Sequence, residues 1–170
     1  NSAGANAAFG QTDAGTNLTV TSSGFALAGG AAGNYTLIQP TLLGNINPAL
    51  LTIGMIGTPE KTYDGTNAVT LGSGNFSISG FIGNQNAVVS QSSASYATAN
   101  AGSGITVTAR SQPSDFTPDT GTSMSNYTFA PTVVGSNLGK IDPLQLSGLI
   151  VNNPSKVYDG TPVAALGASN

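Results

Sequence analysis

The sequence contains no cysteine, no histidine and no tryptophan, and of its 170 residues only four are basic and seven acidic. Each absence removes a class of chemistry. Without cysteine there are no disulfides, although the compartment stays open, because cysteine-free chains occur both in the cytosol and among large exported proteins. Without histidine or cysteine the usual acyl-transfer arrangements cannot form, and a Ser–Lys pair has only three lysines to draw on; an enzyme is not expected. Charged residues make up 6% of the chain, against roughly 25% in ordinary soluble proteins. Solubility must therefore come from Ser, Thr, Asn and Gln, a surface that suits an extracellular protein better than a crowded cytoplasm. With a net charge of −3 and only Lys61, Arg110, Lys140 and Lys156 as cations, a basic stripe for phosphate backbones cannot be assembled, and composition argues against nucleic acid as a partner. No run reaches the ~18 apolar residues that span a bilayer, so membrane insertion is not expected. The N-terminus lacks the layout of a signal peptide, and the segment reads as part of something longer.

What is present is self-similarity. Lys61-Thr-Tyr63-Asp64-Gly65-Thr66 returns as Lys156-Val-Tyr158-Asp159-Gly160-Thr161, an offset of 95 residues, and Gly44-Asn-Ile46-Asn-Pro48 returns at the same offset as Gly139-Lys-Ile141-Asp-Pro143. Asn34-Tyr35-Thr36-Leu37 matches Asn126-Tyr127-Thr128-Phe129 at 92. Asp13-Ala-Gly15 with Leu18-Thr-Val20 matches Asn100-Ala-Gly102 with Ile105-Thr-Val107 at 87, and Phe9 pairs with Tyr96 in that register. The drift from 87 to 95 implies small loop insertions. A period of about 95 exceeds the 20–50 residues of solenoid repeats, so each unit is large enough to enclose its own core. Taking the joins at Pro48 and Pro143 divides the chain into the end of one unit (1–47), one complete unit (48–142) and the start of the next (143–170), whereas a permuted frame dividing the chain near residue 80 gives two nearly whole units.

Short alternating segments, such as Leu18-Thr-Val20, Phe76-Ser-Ile78, Ile105-Thr-Val107 and Tyr127-Thr-Phe129, are bounded by Gly, Asn, Ser or Pro and read as strands. No segment sustains helical periodicity. The Ala-rich stretch 25–33 is broken by Gly29, Gly30 and Gly33, each costing about 1 kcal/mol in a helix interior. The expectation is an all-β protein of immunoglobulin-like sandwich modules joined end to end, with a β-grasp-like module as the alternative. The joins contain no flexible spacer, which predicts a stiff array.

The order and spacing of these three motifs resemble the YDG repeat domains of large Gram-negative secreted surface adhesins of the filamentous-haemagglutinin or two-partner-secretion type. The resemblance runs from about Phe9 to Thr161. It implies a tandem stalk or fibre module of an adhesin or biofilm matrix protein at the cell surface, with neighbouring repeats as partners.

Within Tyr63-Asp64-Gly65-Thr66 and Tyr158-Asp159-Gly160-Thr161 the residue types specify a turn: Asp can accept from the backbone two residues on, Gly takes positive φ and Thr opens a strand. The preceding lysines are expected to cover the turn tyrosines with their alkyl stems. Exposed Tyr63 and Tyr158 offer an alternative role as stacking platforms for sugars, which gives a second functional reading, a carbohydrate-binding or self-associating module. Calcium needs six to eight oxygen ligands, and only Asp115 and Asp119 lie close enough in sequence, outside the turn motif, to share an ion; no cofactor is expected. Glu60 and Asp64 are a further acidic pair, but Glu60 aligns with Ser155, so the pair is not repeated. Asn17, Asn34, Asn75 and Asn126 begin Asn-x-Ser/Thr triplets, read as strand segments rather than glycan acceptors. Tyr35 and Tyr127, which alternate with Leu37 and Phe129, are expected in strands and more buried than Tyr63 and Tyr158.

Overall fold

Alternation does set the strands. In a computed structural model, which describes residues 5–148 and 155–163, Ile105, Val107 and Ala109 point inward while their neighbours point out, the period-two signature of a half-buried strand. The strands of the first part are β1 (Asn6–Phe9), β2 (Gly15–Ser23) and β3 (Thr41–Ile46). Then follow β4 (Ala49–Leu50), β5 (Thr52–Met55), β6 (Glu60–Thr62), β7 (Ala68–Leu71), β8 (Phe76–Ser79) and β9 (Ala87–Val89). The last are β10 (Gln91–Tyr96), β11 (Gly102–Arg110), β12 (Phe116–Pro118), β13 (Tyr127–Thr128) and β14 (Thr132–Asp142). The protein is all-β. Helical structure among the described residues is limited to four 3-10 turns, and none is long and apolar enough to cross a membrane.

The strands fall into two groups. Among the described residues β1, β2 and β3 pair only with one another, as an antiparallel sheet. From β4 onward a five-stranded sheet runs in the order β6-β14-β11-β10-β7, flanked by the two-stranded ribbons β12-β9, β13-β4 and β5-β8. The finer expectation of immunoglobulin-like sandwiches is not established by these pairings, since β14 with β6 and β13 with β4 run parallel. Every buried residue among those described lies in this second group, with Leu71, Phe76, Tyr96, Val107, Phe116 and Ile141 in one cluster. Among described residues before Leu51 none is buried.

The small sheet copies part of the large one pair by pair. Phe9 opposite Val20 answers to Tyr96 opposite Val107, Leu18 opposite Gly44 to Ile105 opposite Gly139, and Gly15 opposite Ile46 to Gly102 opposite Ile141. The irregularity between the last two pairs recurs as well, with Asn17 at φ 54° in one sheet and Gly104 at φ 67° in the other. A bulge placed identically in both sheets pins the register of each.

The repeated glycine of the Gly-x-Ile-x-Pro motif has a steric cause. A Cβ on Gly139 would sit 2.7 Å from Cδ1 and Cε1 of Tyr96 and 2.7 Å from Cγ2 of Val107, and one on Gly44 would sit 3.0 Å from the Phe9 ring and 3.2 Å from Val20. Glycine in a strand here lets an aromatic ring from two strands away approach the backbone closely.

The join between the two groups is short: β3 ends at Ile46 and β4 begins at Ala49, with only Asn47 and Pro48 between. After β14 ends at Asp142, residues 143–148 form no strand. Leu146, the repeat partner of buried Leu51, is exposed there.

Gly139→Ala is expected to destabilise the protein by about 1–3 kcal/mol through overpacking against the buried ring. Gly44→Ala, against an unburied sheet, is expected to cost less. Urea unfolding midpoints of the two variants check this, and an unchanged midpoint for Gly139→Ala would refute the steric account.

Candidate functional site

The Lys-x-Tyr-Asp-Gly-Thr segment folds into a closed ring of hydrogen bonds. Lys61 leaves β6 and donates its ammonium to Asp64 Oδ1 at 2.7 Å, to the Thr66 carbonyl at 2.8 Å and to Thr66 Oγ1 at 2.9 Å, which uses all three N–H donors. Asp64 Oδ1 also accepts from the Thr66 backbone N–H and hydroxyl, both at 2.9 Å. Gly65 sits between them at φ 80°, in the left-handed region that a side chain would resist. The turn expected from the residue types is present, and Lys61 is its centre.

The ring closes the large sheet. On one side the Tyr63 N–H donates to Asp142 O at 2.8 Å, and on the other Asn67 exchanges bonds with the Tyr96 backbone at 2.8 and 3.2 Å. Tyr63 to Asn67 is a reach of about 14 Å at full extension. The outer strands of a flat five-stranded sheet lie about 19 Å apart. Joining β6 to β7 through this motif therefore forces the sheet to curl toward a barrel. The Lys61 ammonium also lies 5.8 Å from the centroid of the Tyr96 ring, within cation–π range.

The second copy reproduces the ring without the sheet. Lys156 Nζ donates to Asp159 Oδ1 at 2.6 Å and to Thr161 Oγ1 at 2.9 Å, and Asp159 Oδ1 accepts from the Thr161 N–H and hydroxyl at 2.9 Å. Gly160 takes φ 76°. Tyr158 is 93% exposed where Tyr63 is 40% exposed. The bonds are local to the motif, whereas burial depends on the rest of the unit.

Charge is held in pairs. The Lys61 ammonium beside Asp64, with the N–H and hydroxyl of Thr66, holds its carboxyl down to about 2, and Lys156 with Thr161 lowers Asp159 in the same way. Asp142, at 2.9 Å, and Glu60, at 3.6 Å, flank Lys140, whose pKa the Asp142 bond raises. Burial, then the nearby Glu60 charge, pushes the Tyr96 phenol up, and its Oη is a buried polar atom with no partner.

The remaining expected residues are placed as follows. Asp115 Oδ2 accepts from Gln91 Nε2 at 2.9 Å and from the Gln112 N–H at 2.8 Å, while Asp119 Oδ2 accepts from Asn86 Nδ2 at 3.2 Å. Each is thus engaged with its own neighbours. Among the described residues no cluster of three or more acidic or other ligating groups forms. Tyr127 is 6% exposed, in β13, its hydroxyl accepting from the Ile82 N–H at 3.1 Å and donating to Gln85, its ring edge-on to Phe81 at 5.1 Å. Tyr35 lies outside any strand and is 70% exposed, more than Tyr63, which corrects both expectations for it. Its local geometry is nonetheless that of Tyr127: each follows a 3-10 turn and takes φ −130°, with ψ 146° and 151°.

Four such turns, ending at Asn34, Asn75, Asp115 and Asn126, each precede an aromatic residue and a hydroxyl residue. The three Asn-x-Ser/Thr triplets among them thus open on turn ends and not within strands. Their sequence signal, Asn or Asp, then Phe or Tyr, then Ser or Thr, was visible at four places, but only two fall at the long repeat offset.

Because the Asp64 pKa is depressed from its ordinary 3.8 to about 2, its contribution to stability is present above about pH 4 and is lost as pH falls through about 2. Carboxyl NMR titration is expected to place Asp64 near 2 and Asp159 below the ordinary value. Asp64→Asn is expected to remove that part of the acid dependence while lowering Tm at neutral pH. An Asp64 titrating at its ordinary value would refute the ring.

A family model described as the YDG domain matches residues 1–42 and 47–134. No curated protein and no solved structure is significantly similar to the chain. The match corrects the resemblance drawn from the motifs: its description is of a YDG domain and names no Gram-negative adhesin, so cell adhesion, biofilm and secreted surface context are not carried forward. YDG is also the name of a DNA-binding domain that reads methylcytosine, so the exclusion of nucleic acid as a partner is withdrawn. Since the model covers well over half of the residues, the chain belongs to the YDG domain family.

Proposed function

We propose that this chain is a structural spacer, a tandem β repeat that holds what flanks it at a set distance and orientation. The observation that supports this reading is that β1-β2-β3 copies part of the β10-β11-β14 sheet pair by pair, including one bulge and the glycine beside the aromatic ring. What recurs along the chain is the apparatus of folding: the hydrogen-bonded turn of the Lys-x-Tyr-Asp-Gly-Thr motif and the aromatic ring on glycine. In this reading 48–142 is the complete unit, and the two-residue join at Asn47-Pro48 supplies stiffness. Proline holds its own φ near −65° and keeps the preceding residue extended.

Scattering from chains of one, two and three additional periods tests the proposal. The largest dimension is expected to grow linearly with repeat number, whereas growth as about the square root would show flexible joints and refute a spacer. The same chains, offered a glycan array and methylated and unmethylated DNA duplexes, separate the spacer from a binding module. Any contact with a phosphate backbone would fall to Arg110 and to lysines now paired with carboxylates. Saturable binding lost on Tyr63→Ala, or falling steeply with salt, would replace the spacer reading.

A further inference from the structure

The 3-10 turns that share a sequence pattern do not share a use for its polar side chain. Asn75 and Asp115 close their own turns, accepting the backbone N–H of Gly72 at 3.0 Å and of Gln112 at 2.8 Å, as the third residue of a helical turn often does. Asn126 stands in the same position and turns away. Its Nδ2 donates to Asp13 Oδ1 at 2.8 Å, and its Oδ1 accepts the Ala14 N–H at 2.7 Å. Both ends of one carboxamide therefore grip a single turn, the one between β1 and β2 in the small sheet.

The contact lies where the chain passes from one sheet to the next. A cavity of about 290 Å³ beside it is lined by Asp13, Asn47, Ala49, Gln85 and Tyr127, so the covalent crossing at Asn47-Pro48 and the amide grip border the same space. A covalent crossing alone leaves rotation about its own bonds. A second, two-point attachment fixes the direction in which the next unit leaves, because a carboxamide with one donor and one acceptor engaged has only one way to meet the turn.

We propose that Asn126 is the positioning residue of the joint between successive repeats, and that its partner is the Asp13-Ala14 turn of the preceding repeat. In the repeat register that turn corresponds to Asn100-Ala101, at the other end of the complete unit. Both residues are exposed, beside a cleft lined by Tyr63, Pro143 and Leu144. Asn100 can accept through its amide oxygen where Asp13 accepts through its carboxylate, so this end is the docking surface for the equivalent asparagine of another repeat of this kind. The assignment of a partner to Asn100-Ala101 rests on the spacer reading. The Asn126 contact itself is in the structure.

The cysteine-free chain allows a direct test with spin labels at Thr21→Cys, in β2 of the small sheet, and Thr117→Cys, in the β12-β9 ribbon of the complete unit, both exposed, read as a distance distribution. The unsubstituted background is expected to give one narrow distance. Asn126→Asp, which sets a carboxylate against Asp13 and removes the donor, is expected to lose it. Adding Asp13→Asn to that variant restores a donor opposite the new carboxylate and should recover the narrow distance, while Asn75→Ala, in the turn that closes on itself, should leave it unchanged. Recovery in the double variant also shows that loss in the single one was not misfolding. A narrow distance retained in Asn126→Asp, or not recovered in the double variant, would overturn the role of Asn126 and leave the spacer reading standing. A broad distribution already in the background would overturn the spacer reading as well.

Discussion

The fold of the complete unit depends on one contact, the Tyr96 ring lying against the backbone of Gly139. The ring is buried, the Lys61 ammonium lies within 5.8 Å of its centroid, and its own backbone is clamped by Asn67. Three strands and the closing motif therefore meet at one side chain. The cost is a phenolic oxygen buried without a partner, an arrangement that destabilises by roughly 1–3 kcal/mol. Burial of so large a ring offsets this through the apolar area it removes from water. In the small sheet the same position is Phe9, which packs on Gly44 and carries no hydroxyl to leave unpaired.

The closing motif shows how a chain with so few charges deploys them. Each of the three lysines is committed to a carboxylate within a few residues or across one strand pair. Exposed ion pairs contribute little on their own. Here the pair also engages the Thr66 hydroxyl and carbonyl, so its effect is to hold the path of the backbone between two edges of a sheet. That geometric role explains why the same residues recur at the same spacing in the second motif.

Much of this was legible in the residues, for identifiable reasons. Alternation in Ile105-Thr-Val107 marked a strand with one buried side, and the Asp-Gly-Thr order marked a turn with positive φ. The offsets of 87 and 95 matched the register of paired strands in both sheets. Tyr35 was misread because alternation reports which residues share a face and carries no information on what covers that face. The three-dimensional use of Asn126 was hidden for a related reason, since its pattern is that of Asn75 and its partner lies more than a hundred residues away.

The division between sequence and tertiary structure follows the range of the interactions. Lys61, Asp64 and Thr66 span six residues, and their bonds need only neighbouring side chains and backbone. The same ring therefore forms at Lys156, Asp159 and Thr161 with no sheet among the described residues there, and the sequence by itself determined that geometry along with the positions of the repeats. Which tyrosine is buried, that the Lys61 ammonium lies near the Tyr96 ring, how the sheet curls to meet its own edge and where Asn126 reaches were decided only by tertiary structure. Each of those outcomes requires groups brought together from distant parts of the chain, and their meeting depends on how whole strands pack, a quantity that no local run of residues contains.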